Sequence, residues 1–300
     1  TAALLIVVLF AQTAWAQNFL ANKKFNPTTI GPNSQSQLQF DLFNASTSTL
    51  NATVTDTLPT TTPAGQLWYD SNDAIGAPVG ANCTTGTWTF GDPIAGTRYR
   101  TATFTSAAVP NNAPAPKPGP DCSMTIPVHS GVLGADTNLV NQVPGANATA
   151  SGTAGTFQSQ DFSATLQVRA PVNATLTKQF NGAGSATIPA GGTATLTLRI
   201  ANPSPAFALT GVALSDDMTS LGLTVTSGPT FGGCGAAASN GSASVLSMTG
   251  ATIAAGGTCT ITATVQAPTP GGNATLTNTI PAGAVQSNEA STNGSSASAT

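Results

Sequence analysis

The chain has 300 residues, 6% of them Asp, Glu, Lys or Arg, and a formal net charge of -3. So few Lys and Arg leave no basic footprint for nucleic acid or an anionic lipid surface. Low charge can accompany disorder, but disordered chains are also poor in apolar residues, and 40% of this chain is hydrophobic.

The first element is a targeting segment. Residues 4–10 are continuously apolar, and Ala14 and Ala16 flank Trp15 before Gln17. Small residues in that spacing predict signal-peptidase cleavage after Ala16, and the apolar run is too short to span a bilayer. Residues 1–16 are therefore set apart from the fold, and no later stretch predicts a membrane span. The mature part is expected to be secreted or held at a cell surface.

From residue 17 onward, apolar residues alternate with Thr and Ser. Val, Ile and Thr at period two predict half-buried strands. Ile30-Gly31-Pro32-Asn33-Ser34-Gln35 is an apolar residue and a tight turn, followed by a strand over 37–42. Ile188-Pro189-Ala190-Gly191-Gly192-Thr193 and Ile253-Ala254-Ala255-Gly256-Gly257-Thr258 repeat the device ahead of strands at 194–200 and 259–265. A longer repeat follows. Lys23-Lys24-Phe25 matches Lys178-Gln179-Phe180, residues 54–59 match 214–218, 122–128 match 259–265, and 139–144 match 276–281. The order is the same in both halves. This predicts an all-β protein of two tandem immunoglobulin-like β-sandwich domains, 17–170 and 171–300. The junction Arg169-Ala170-Pro171 is too short for a floppy linker.

The first copy carries a long insertion at about 60–121, with Trp68, Tyr69, Trp88 and Tyr99 and a Pro-rich run at 113–120. Loops on a rigid sandwich often carry binding, so these rings are candidates for contacting glycan or a surface protein. In the second copy the chain reaches Thr300 where the counterpart of the strand over 164–168 is due. The expectation is a second domain without its last strand, by truncation or because another chain donates that strand.

Export makes the cysteines meaningful, because an oxidising compartment permits disulfides. Cys83, Cys122, Cys234 and Cys259 allow three pairings, and the repeat selects Cys83–Cys122 and Cys234–Cys259. With one His and no CxxC pair, a structural zinc site is not expected. His129 is read as an exposed or loop residue. The oxygen-rich run Asp70-Ser71-Asn72-Asp73 lacks the Gly and closing Glu of an EF-hand. No cofactor is expected, and no nucleophile–base pair marks an enzyme.

A recurring set of polar residues stands out. Lys178 shares a strand face with Leu176 and Phe180, Asp216 with Val212 and Leu214, and Asn278 with Leu276 and Ile280. Lys23, Asp56 and Asn141 hold the same positions in the first copy. By the two-residue period all six point inward. Two readings stay open. One is a buried Lys–Asp ion pair with the Asn bonding a loop. The other is a self-formed Lys–Asn isopeptide cross-link with the Asp as proton shuttle, since burial favours the neutral amine and protonated acid.

The motifs Lys178-Gln179-Phe180, 188–193, Thr210-Gly211-Val212 with Asp216, Gly256-Gly257-Thr258-Cys259 and 278–283 resemble a bacterial surface repeat family, domain of unknown function eleven. The resemblance covers most of 172–290 and is looser over 19–170. It implies immunoglobulin-like modules, set in tandem in large exported proteins, with neighbouring repeats as partners. It implies no catalytic activity or ligand. The functional expectation is a structural or adhesive module, with ligand binding through the aromatic insertion and filament assembly by strand exchange as alternatives.

Overall fold

The computed structural model describes residues 18–61, 65–75, 86–111, 119–269 and 274–300. The expected signal peptide and Cys83 lie outside these residues, as does most of the Pro-rich run. Helix among the described residues is limited to two 3-10 turns, Gly145–Asn147 and Thr219–Leu221.

The strands divide between two hydrophobic cores, one built from residues of 19–168 and the other from residues of 174–299. The first unit contains β1 (Phe19–Asn26), β2 (Thr29–Ile30), β3 (Gln35–Asn44), β4 (Leu50–Thr57), β5 (Leu67–Asp70) and β6 (Gly86–Ala95). It continues with β7 (Arg98–Val109), β8 (Cys122–Ser130), β9 (Thr137–Val143), β10 (Ala148–Gly152), β11 (Gly155–Gln158) and β12 (Phe162–Val168). The second contains β13 (Thr175–Phe180), β14 (Thr193–Ala201), β15 (Leu209–Asp217), β16 (Thr224–Gly232), β17 (Val245–Ile253), β18 (Thr258–Gln266), β19 (Asn278–Ile280) and β20 (Ala297–Ala299).

Both units are immunoglobulin-like β-sandwiches, and their ladders correspond. In the first, β1, β3, β8 and β5 lie side by side, as β13, β14, β18 and β16 do in the second. Leu42 faces Cys122 across β3 and β8, and Ile200 faces Cys259 across β14 and β18. β4 pairs with β7 as β15 pairs with β17, and β9 pairs with β12 as β19 pairs with β20. Alternation explains the layering. Along β1 every second residue is buried, so Phe19, Ala21, Lys23 and Phe25 face the core. Leu38, Phe40 and Leu42 on β3 meet Met124 and Ile126 on β8 in the same core.

Two segments gain detail from the structure. Within the segment read as an insertion, β5 pairs with β8 as β16 pairs with β18, and β7 pairs with β4 as β17 pairs with β15, while β5 also pairs with β7. The added strand is β6, laid on β7. The repeat was hidden there because β5 and β7 share pairing, not residue identity, with their counterparts. In the second unit three residues of the last strand are present: by register β20 matches Phe162–Ala164, the opening of the seven-residue β12. Ala299 faces Asn278 as Ala164 faces Asn141, and Thr300 exchanges backbone hydrogen bonds with Gly184 and Ala186. With three residues and no large side chain, β20 carries little period-two signal of its own.

The junction is tied from both sides. Arg169 N–H donates to the Ile30 carbonyl, Ala170 N–H donates to Asp136 at 2.9 Å, and Ala174 N–H donates to the Thr292 carbonyl. Across the units, the Asn33 amide donates to the Asn288 carbonyl at 2.9 Å. A Cβ on Gly31 would sit 2.9 Å from the Phe207 ring, so the glycine lets the two surfaces close.

Candidate functional site

Each core encloses one polar cluster, built from the strands the repeat predicted. In the first, β1 places Lys23, β4 places Asp56 and β9 places Asn141, all inward, at 7%, 1% and 1% exposure. Lys23 Nζ lies 3.0 Å from Asp56 Oδ1. The Asn141 amide donates to Asp56 Oδ2 at 2.7 Å. A third donor was not foreseen: the Tyr69 hydroxyl, from β5, reaches the same Oδ2 at 2.6 Å. Burial holds Lys23 below the ordinary lysine pKa, and the attraction of Asp56 restores part of that loss. Burial, with the Asp56 charge, pushes Tyr69 well above the usual phenol value. Asn141 Oδ1 is buried without a hydrogen-bond partner.

The second core repeats the arrangement with one member missing. Lys178 Nζ contacts Asp216 Oδ2, and the Asn278 amide donates to the same oxygen at 3.1 Å. Lys178 is again lowered by burial, with Asp216 pulling the other way. The position of Tyr69, beside Trp68 on β5, belongs to Val225 on β16, since Trp68 faces His129 and Thr224 faces Gln266 at matching points of β8 and β18. Asp216 Oδ1 is left buried with no partner. Each cluster joins an early, a middle and a late strand of its sandwich.

Residues 174–300 match the model of a domain of unknown function, DUF7933. The match covers the second unit. It names a different family from the domain of unknown function eleven that the motifs resemble. No curated protein matches the chain. Among solved structures, the type II cohesin dyad from the adaptor scaffoldin ScaA of Acetivibrio cellulolyticus is similar at 9% identity and a TM-score of 0.33, over 82% of this chain and 84% of that one. The major pilin subunit BcpA of Bacillus cereus is similar at 11% identity and a TM-score of 0.34, over 79% of this chain and 56% of that one. The major pilin SpaD of Corynebacterium diphtheriae is similar at 13% identity and a TM-score of 0.32, over 91% of this chain and 61% of that one.

Cys122 and Cys259 lie on core-facing strand positions, and Cys234 lies in the loop after β16. Cys234 and Cys259 form a disulfide, and Cys259 is fully buried. Cys122 is also buried and disulfide-bonded, while its expected partner Cys83 lies outside the described residues.

Of the aromatic candidates, Trp68 and Tyr69 are buried, while Trp88 and Tyr99 are half-buried. Tyr69 is a core residue, and Trp68 is 8% exposed. Trp88 packs on Phe104 and Phe40, and Tyr99 on Phe90. Trp68 does stack on His129 at 5.6 Å, with the Arg98 guanidinium 4.1 Å from the centroid of the Trp68 ring. His129 is thus a partly buried strand residue, not a loop one, and its Nε2 lies 2.8 Å from Asp73. Asp70 caps its own turn by accepting from Asn72 N–H. Among the described residues no group of His, Cys, Asp and Glu could hold a metal ion.

A second pair was missed. Asn44 ends β3 and its amide donates to the Ser48 and Val109 carbonyls, both at 2.9 Å. Asn202 follows β14 and donates to the Phe207, Ile253 and Ala254 carbonyls. Each also accepts from the serine two residues on, Ser46 or Ser204. The signal was an Asn-x-Ser run after the same strand in both copies.

Proposed function

We propose that the chain is a structural spacer of an exported surface or extracellular protein, with neighbouring repeat domains as its partners. The observation that carries the reading is the duplication of a complete internal brace: a buried Lys–Asp–Asn cluster crossing each sandwich, in units seated on each other through Gly31 and Phe207. A brace across early, middle and late strands resists opening of the sandwich from its ends. Buried disulfides suit an oxidising compartment, which supports a place outside the cytoplasm. No helix among the described residues is long and apolar enough to cross a membrane.

The adhesive alternative has less support, because Trp68, Tyr69 and Trp88 are used in packing. Strand exchange has less support in that β20 already pairs with β19 in its own unit over Ala297–Ala299. Small-angle scattering of the chain tests the spacer. The expected result is an elongated particle whose maximum dimension fits one fixed arrangement of the units. A broad ensemble of inter-unit distances would refute it.

A further inference from the structure

The spacer needs two braced cores, but it does not need the two clusters to differ, and they do. In the second unit the lysine amine and the asparagine amide meet at one carboxylate oxygen, Asp216 Oδ2. The nucleophilic nitrogen and the carboxamide are therefore neighbours across a single atom. All three side chains are buried, at 4%, 1% and 1% exposure, so water does not compete for the amide. The other carboxylate oxygen, Oδ1, is buried with no partner. A bare buried acceptor is costly. Protonated, it becomes a donor, which an amide oxygen needs when its carbon is attacked. Desolvation of Lys178 acts in the same direction, favouring the neutral amine.

We propose that Lys178 and Asn278 join through a self-formed isopeptide bond, with Asp216 as the proton carrier. A proton first passes from the Lys178 ammonium to Asp216, leaving an amine and a carboxylic acid. Nζ then attacks Cγ of Asn278, and the Nζ–Cγ bond forms while Asp216 donates a hydrogen bond to the amide oxygen. The Cγ–Nδ2 bond breaks as one amine proton is relayed through Asp216 to the departing nitrogen. Ammonia leaves, Asp216 remains protonated, and the new amide N–H and C=O lie beside it. No oxidant, reductant or co-reactant enters. The bond ties β13 to β19, and so the first strand of the unit to its penultimate one.

The first unit holds the same three residue types in a different state. There Lys23 and Asn141 sit on opposite oxygens of Asp56, and the Tyr69 hydroxyl completes the carboxylate's set of donors. Asp56 is satisfied as an anion, and Lys23 remains its counter-ion.

Intact mass of the full chain under denaturing, non-reducing conditions tests the proposal. The expected result is a deficit of one ammonia, with a branched peptide linking Lys178 to Asn278 after digestion. Asp216→Asn, nearly the same shape, is expected to keep the full mass, and so is Lys178→Arg. The Cys234–Cys259 disulfide, mapped in the same digests, reports that each variant folds. A wild-type chain with that disulfide and no ammonia deficit overturns the proposal. So does an Asn278 converted to Asp without a link to Lys178. A deficit of two ammonias, the second mapped to Lys23 and Asn141, overturns the part given to Tyr69.

Discussion

Replacing Tyr69 by Phe isolates one interaction of the first cluster. The ring is fully buried, and Phe keeps its volume and packing. What is lost is the hydroxyl's 2.6 Å hydrogen bond to Asp56 Oδ2. A hydrogen bond to a charged group contributes roughly 1.5–3 kcal/mol. Asp56 keeps Lys23 and Asn141, so the expectation is about 2 kcal/mol, or roughly thirty-fold in the folding equilibrium. Urea unfolding followed by tryptophan fluorescence reads this change cleanly. Trp68 and Trp88 lie in the first unit, and the second has no tryptophan. The midpoint should fall by roughly 1 M. A double-mutant cycle with Asp56→Asn should then show coupling above about 1 kcal/mol, since the two groups touch. A loss below about 0.5 kcal/mol, or additive effects, would refute the account of Tyr69 as a partner of the buried charge.

Three further outcomes are expected. Replacing Cys234 and Cys259 by Ala removes a link across 25 residues, which in the chain-entropy picture destabilises the second unit by about 3.5 kcal/mol; calorimetry should show one transition lowered and the other unmoved. Gly31→Val drives a side chain into the Phe207 ring, so scattering should show the units reoriented or loosened while tryptophan-detected stability changes by less than about 1 kcal/mol; an unaltered scattering curve counts against the inter-unit seat. The first unit should also grow more stable as pH rises toward 10. Folded Lys23 loses its proton below the ordinary value of 10.5, so in that window the unfolded chain binds more protons and stability rises with pH. Tyr69 has the opposite sign: the folded state keeps its proton above the ordinary value of 10.0, so stability falls once the pH passes that value. A urea midpoint that declines steadily from neutral pH to 10 would contradict the account of Lys23.

How much of this was legible depends on what each strand carries. β1, β3, β8 and β18 announce themselves by strict alternation, and the inward direction of Lys23, Asp56 and Asn141 follows from the same period. The structure buries all three, and Asn141 bonds Asp56 rather than a loop backbone. Tyr69 could not be found that way, because it lies in a segment with no residue match in the second copy. It was read as a surface ring, whereas cross-strand pairing carries it inward to the carboxylate. β20 is the opposite case: alternating Ala and Ser satisfy the ladder's hydrogen bonds without a hydrophobic signature, and only the repeat pointed to a strand starting there. Asn44 and Asn202 were visible as a repeated Asn-x-Ser run, but their role depends on carbonyls that only the folded turns bring into reach.

A repeated buried cluster does not by itself indicate function, because burial alone preserves it. Removing one member of a buried ion pair strands the other and costs roughly 3–5 kcal/mol, so each copy is locked into keeping both. The informative feature is the change the lock permits. Substitution around a retained pair can alter how fully the carboxylate is satisfied without breaking the pair, and here it has. Tyr69 and Asn141 donate to Asp56 Oδ2 with Lys23 on Oδ1, whereas in the second unit Val225 stands in the tyrosine's place, Lys178 and Asn278 share Oδ2, and Asp216 Oδ1 is bare. A purely structural brace gains nothing from a bare buried oxygen, which weakens it by the cost of an unmet acceptor. A reactive cluster does gain, because that oxygen must take up a proton and pass it on. The second copy departs from the first in the direction that chemistry requires, and the departure falls on the carboxylate through which the proton would move.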